Sequence, residues 1–88
     1  MALEKEVVLY NQILTTYHRI GAIRVDYLTK QGTAEVGSFA SRIHREIAPD
    51  APHQKERVDF VWNPTNNIVE DAYTAVKSHP TFQGAKDV

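Results

Sequence analysis

Cysteine is absent from this 88-residue chain, which removes any disulfide framework, thiolate nucleophile or cysteine-built zinc site and leaves packing alone to hold the fold. A charge excess is missing too. Ten Lys and Arg face eleven Asp and Glu, for a formal net charge of −1 and a pI near 6.4, so the basic surplus of a phosphate-binding domain is lacking and nucleic acid is a poor partner. No apolar run approaches the ~20 residues that span a bilayer, and no membrane association is expected. The opening Met1-Ala2-Leu3-Glu4-Lys5-Glu6 does not read as the start of a signal peptide, and a protein made in the cytoplasm is expected. Internal repeats and low-complexity tracts are also missing. The length supports one core, because each of two halves would approach the roughly 40 residues below which a domain needs a staple. A single domain over 1–88 is expected.

What is present is a change of period near Asn63-Pro64-Thr65-Asn66-Asn67. Before it, apolar residues tend to alternate; after it, they recur at helical spacing. The clearest alternation is Arg57 to Trp62, where Val58, Phe60 and Trp62 share one face as in a half-buried antiparallel strand. From Thr16 to Leu28, Tyr17, Ile23, Val25 and Tyr27 fall on one side and His18, Arg24 and Asp26 on the other. Gly21 marks a bulge or bend in that strand, and Ile20 and Ala22 in the outer register suggest a partly covered second face. Lys30-Gln31-Gly32 supplies a turn into a strand from Thr33 to Ile43, making a hairpin. Upstream, Glu6 to Tyr10 reads as a first strand, with Asn11-Gln12 as a two-residue turn into Ile13-Leu14. The strand-rich body thus covers 5–62, interrupted over 44–56 by a segment with two prolines and mixed charge that reads as an exposed loop. Loops of that length are uncommon in a compact domain unless they are mobile or carry function.

The C-terminal helix is placed at about 67–78. Ile68, Val69, Ala72, Tyr73 and Val76 form its apolar stripe, the face a lone helix lays on a sheet. Asn67 is its N-cap, Glu70 stands in capping-box position, and Glu70 with Asp71 suits the helix dipole. His79-Pro80 ends the helix, because the residue before proline avoids the α region. Phe82 then folds back as an anchor. The fold expected is α+β, an antiparallel sheet of about four strands with one C-terminal helix packed on one face.

Chemistry is sparse. His18, His44, His53 and His79 show no His-x-x-x-His or Glu-x-x-His spacing, so four unrelated polar histidines are a better reading than a metal site. Ser38 and Ser41 lack the Gly-x-Ser-x-Gly turn that exposes an activated serine. Arg42, Arg45, Lys55 and Arg57 are offset by Glu46, Asp50 and Glu56. No catalytic, metal-binding or cofactor-binding residue is therefore assigned, and no cofactor is expected. The residues proposed for protein contact are Ile20 and Leu28, expected on the sheet's outer face, and Pro49, Asp50, Pro52 and His53 in the loop.

The opening Met1 to Leu9, the segment Tyr17-His18-Arg19-Ile20, and the ending Asp71 to Lys77 followed by Phe82 to Val88 resemble a group of small uncharacterised proteins of tailed bacteriophages and prophages. Such proteins tend to be encoded among tail and baseplate genes. They similarly end in an alanine-tyrosine helix followed by a phenylalanine and a short acidic-hydrophobic terminus. The resemblance implies a non-enzymatic virion-associated or tail-assembly protein, with homo-oligomeric and other virion or tail proteins as partners and the virion as its destination. The alternative is a small phage-encoded regulatory or inhibitory protein that binds a host protein through a strand edge or the 44–56 loop.

Overall fold

A computed structural model of the protein describes residues 2–9 and 12–88. Its elements run β1 (Leu3–Val8), β2 (Leu14–Asp26), β3 (Gln31–Phe39), α1 (Arg42–Ile47), β4 (Gln54–Val61), α2 (Ile68–Ser78) and β5 (Lys86–Asp87). All strands join one sheet in the order β4-β3-β2-β1-β5, and every neighbouring pair is antiparallel. The class is α+β with an antiparallel sheet, as expected, but with five strands and two helices.

One glycine decides which side chains enter the core. Ile20 pairs with Val36 and Ala22 with Glu35, so Gly21 is an extra residue in β2. An extra residue shifts the period-2 alternation by one. Before the bulge the even positions His18 and Ile20 face α2; after it the odd positions Ile23 and Val25 do, packing on the core cluster with Val36, Ala34, Val58 and Phe60. The expected grouping of Tyr17 with Ile23, and of His18 with Arg24, is thereby corrected. Ile20 is not an outer-face residue: it packs against the core.

Helix α2 closes that core by burying Ala72, Tyr73 and Val76. Asn67 caps it, accepting from Val69 N at 2.9 Å and Glu70 N at 3.3 Å. Asp71, rather than Glu70, reaches back, accepting from Asn63 N and Asn66 Nδ2. His79 is the C-cap, and the chain then turns so that Phe82 is fully buried and β5 pairs with Leu3 and Glu4. That pairing explains why β1 starts at Leu3 and not at Glu6: Leu3 is itself fully buried. The expected end of the first strand at Tyr10 and the turn residue Asn11 lie outside the described residues. Gln12, at φ 66°, donates to the Leu9 carbonyl across the β1–β2 connection.

The hairpin turn between β2 and β3 is Tyr27 to Lys30, starting three residues earlier than expected, with Asp26 Oδ1 accepting from Leu28 N at 2.8 Å. Leu28 therefore sits in this turn and not on a sheet face. Gly32 lies inside β3 opposite Phe60. Of the expected 44–56 loop, 44–47 belong to α1 and 54–56 to β4, and only 48–53 connect the two. Ser41 Oγ accepts from His44 N to cap α1, and β4 begins at Gln54. This segment folds over the sheet's second face, where the His44 ring meets Phe39 edge-on at 5.4 Å and Pro52 sits over Gly37. The rest of that face is polar. Arg24, Thr33 and Asp59 lie in one row and Ala22, Glu35 and Arg57 in the next, with Thr33 donating to Asp59 at 3.0 Å.

Candidate functional site

The closest approach to catalytic geometry is a serine beside a histidine. His18 Nδ1 lies 2.8 Å from Ser38 Oγ, and Nε2 lies 2.8 Å from the Lys5 carbonyl oxygen. A carbonyl only accepts, so Nε2 carries a proton. Burial pushes the His18 pKa below the ordinary histidine value despite the opposing hydrogen bond to Lys5, which favours the neutral ring, and in that form Nδ1 accepts from the Ser38 hydroxyl. With 0% of His18 and 3% of Ser38 exposed, no substrate reaches the pair. Its role is to pin β1, β2 and β3 together beneath Phe82, whose ring meets the imidazole edge at 5.0 Å.

The other histidines fall into separate settings. His79 Nε2 lies 3.7 Å from Glu56, which also accepts from Thr81 Oγ1 at 3.3 Å. Lys5 Nζ donates to the Thr81 carbonyl, so both contacts tie the turn after α2 to the sheet. His44 and His53 are 4.6 Å apart, ring to ring, on the opposite face. Among the described residues no group of three or more His, Asp or Glu side chains is placed to hold a metal ion.

Surface grooves and strand edges remain. Four of the residues proposed for contact, Ile20, Pro49, Asp50 and Pro52, line one open groove of about 380 Å³ beside the Gly21 bulge. Its charges are mixed, with Arg19, Arg45 and Lys55 against Glu35 and Asp50. Leu28 stands apart from it, 94% exposed at the far hairpin turn, and His53 belongs to the stack on His44. A second open groove, of about 300 Å³, lies on the helix side of the same bulge between Ile20, Ile23, Val69 and Tyr73. The Tyr73 hydroxyl accepts from Ile20 N at 3.2 Å there, and burial raises the tyrosine pKa. β1 begins at Leu3, opposite His18, so among the described residues no strand flanks β2 from Ile20 to Asp26 on that side. Exposed apolar residues outside the expected set include Ile43 and Ile47, at 66% and 78% on α1. Their i, i+4 spacing was the available signal.

No protein-family model matches this chain, and no curated protein or solved structure matches it. No described helix is long and apolar enough to cross a membrane. What the surface offers chemically is main-chain pairing at an open strand edge, next to apolar side chains in shallow grooves. Such features suit recognition of another polypeptide.

Proposed function

We propose that this protein is a non-enzymatic, virion-associated or tail-assembly component of a tailed phage, acting by protein–protein contact and self-association. The phage assignment rests on the resemblance of both ends of the chain to phage tail-region proteins. The contact mode rests on one observation above others: Leu28, Ile43 and Ile47 are held out in water by well-defined turns and caps, while the His18–Ser38 pair is sealed inside. Large apolar side chains fixed in exposed positions gain from coverage by a partner.

The runner-up is a small phage-encoded regulatory or inhibitory protein that binds a host protein. The mixed-charge groove at Pro49, Asp50 and Pro52 favours it, because opposite charges around a shallow groove suit a specific partner surface. Mass spectrometry of purified virions tests both readings. Stoichiometric presence in the particle supports the first; absence from the particle together with early expression in the infected cell overturns it in favour of the second.

A further inference from the structure

The unflanked part of β2 differs from the sheet's other outer edge. β4 carries Lys55, Glu56, Arg57 and Asp59 within five positions, the charged dressing that discourages edge-to-edge pairing. The β2 extension instead alternates half-buried Ile23 and Val25 with two exposed charges of opposite sign, Arg24 and Asp26. Hydrogen bonding identifies which main-chain groups point outward. Trp62 N donates to the Lys30 carbonyl and His53 N to that of Ser38, so even-numbered residues of β3 turn toward β4 and odd-numbered ones toward β2. Through the observed register, Ala22, Arg24 and Asp26 face β3. The N–H and C=O of Ile23 and Val25 point away from it, on the side where Ile20 N meets the Tyr73 hydroxyl.

Building on the reading of the protein as self-associating, we propose that two copies pair β2 to β2, antiparallel, about a twofold axis through Val25. The charge pattern selects this register. A twofold normal to the sheet keeps each residue on its own face only if the axis passes through a residue. Centring on Arg24 or on Asp26 sets like charges directly opposite each other, which is destabilising. Centring on Ile23 sets Arg24 against Ala22 and leaves Asp26 with no opposite charge. Centring on Val25 sets Arg24 opposite the partner's Asp26, and Asp26 opposite the partner's Arg24. Val25 then meets its own copy with main-chain bonds in both directions, and Ile23 meets the partner's Tyr27 on the helix side.

Sedimentation velocity with circular dichroism tests this. The wild-type protein is expected to be a dimer at tens of micromolar. Val25→Pro removes an N–H that no strand among the described residues uses, so the monomer fold should persist while the dissociation constant rises about tenfold or more. Arg24→Asp alone and Asp26→Lys alone should each be monomeric, and a one-to-one mixture of the two should dimerise, because the mixed pair restores both opposite charges. A Val25→Pro protein with native circular dichroism that remains dimeric would overturn the β2 interface and leave self-association through another surface standing. A monomeric wild type would overturn the interface and self-association together.

Discussion

The ring of Phe60 lies directly over the α-carbon of Gly32, so closely that a Cβ built there falls 2.5 Å from Phe60 Cζ. The two residues are cross-strand neighbours in β3 and β4, and only a hydrogen side chain lets the ring settle into the core. In an open strand, Gly→Ala is mildly favourable because it restricts the unfolded chain. Here the sign reverses. Gly32→Ala is expected to destabilise the protein by about 1–3 kcal/mol through overpacking, read as a lower urea midpoint with an unchanged slope. Equal or greater stability would show that the ring moves aside without loss.

Asn67→Ala removes the side chain that accepts from both Val69 N and Glu70 N. The expected loss is about 1 kcal/mol with the fold retained. Asp71 bonds the preceding turn through Asn63 and Asn66, so Asp71→Ala should add a smaller loss of its own. Glu70→Ala should be near neutral, which separates this arrangement from a capping box. Thermal melts of the three variants check the order.

Phe82→Ala tests the C-terminal anchor. The ring is fully buried against His18, with which it makes an edge contact, and truncation of such a phenylalanine costs roughly 3–5 kcal/mol. That is a large part of the stability of a small domain. Loss of the cooperative transition is the expected result, and a melt within a few degrees of wild type would mean that the turn after α2 is dispensable.

Why some of this was legible in the chain and some was not follows from particular residues. α2 was legible because Asn67, the stripe through Val76 and Pro80 all act locally. The parity of β2 was not, since Gly21 as an extra residue moves Ile20 and His18 to the helix side, and nothing in a one-dimensional alternation says how many residues the partner strand spends opposite. α1 escaped because it is six residues long and buries none of its side chains, so its one i, i+4 apolar pair, Ile43 and Ile47, marks no covered face. β5 is two residues long, below what a pattern can show. Of the proposed contact residues, Ile20, Pro49, Asp50 and Pro52 do converge, although Ile20 arrives from the core side. The open edge at Ile23 and Val25 depends on where β1 stops relative to β2, a property of pairing with no signature in either strand.

The last prediction concerns pH. His18 is held neutral in the fold, with burial setting its pKa below the ordinary value of 6.5, while in the unfolded chain it titrates near that value. Above pH ~6.5 both states carry the neutral ring and the stabilisation is complete. As pH falls below it, the unfolded state takes up a proton that the folded state resists, so stability declines until the folded pKa is reached. A cation would also have to surrender the Ser38 donor at Nδ1. His18→Gln retains hydrogen-bonding capacity without titrating, so it should be less stable than wild type at pH 8 yet lose less between pH 6.5 and 5. Denaturant melts across that range measure the slope. Parallel slopes for the two proteins would assign the acid sensitivity to other groups.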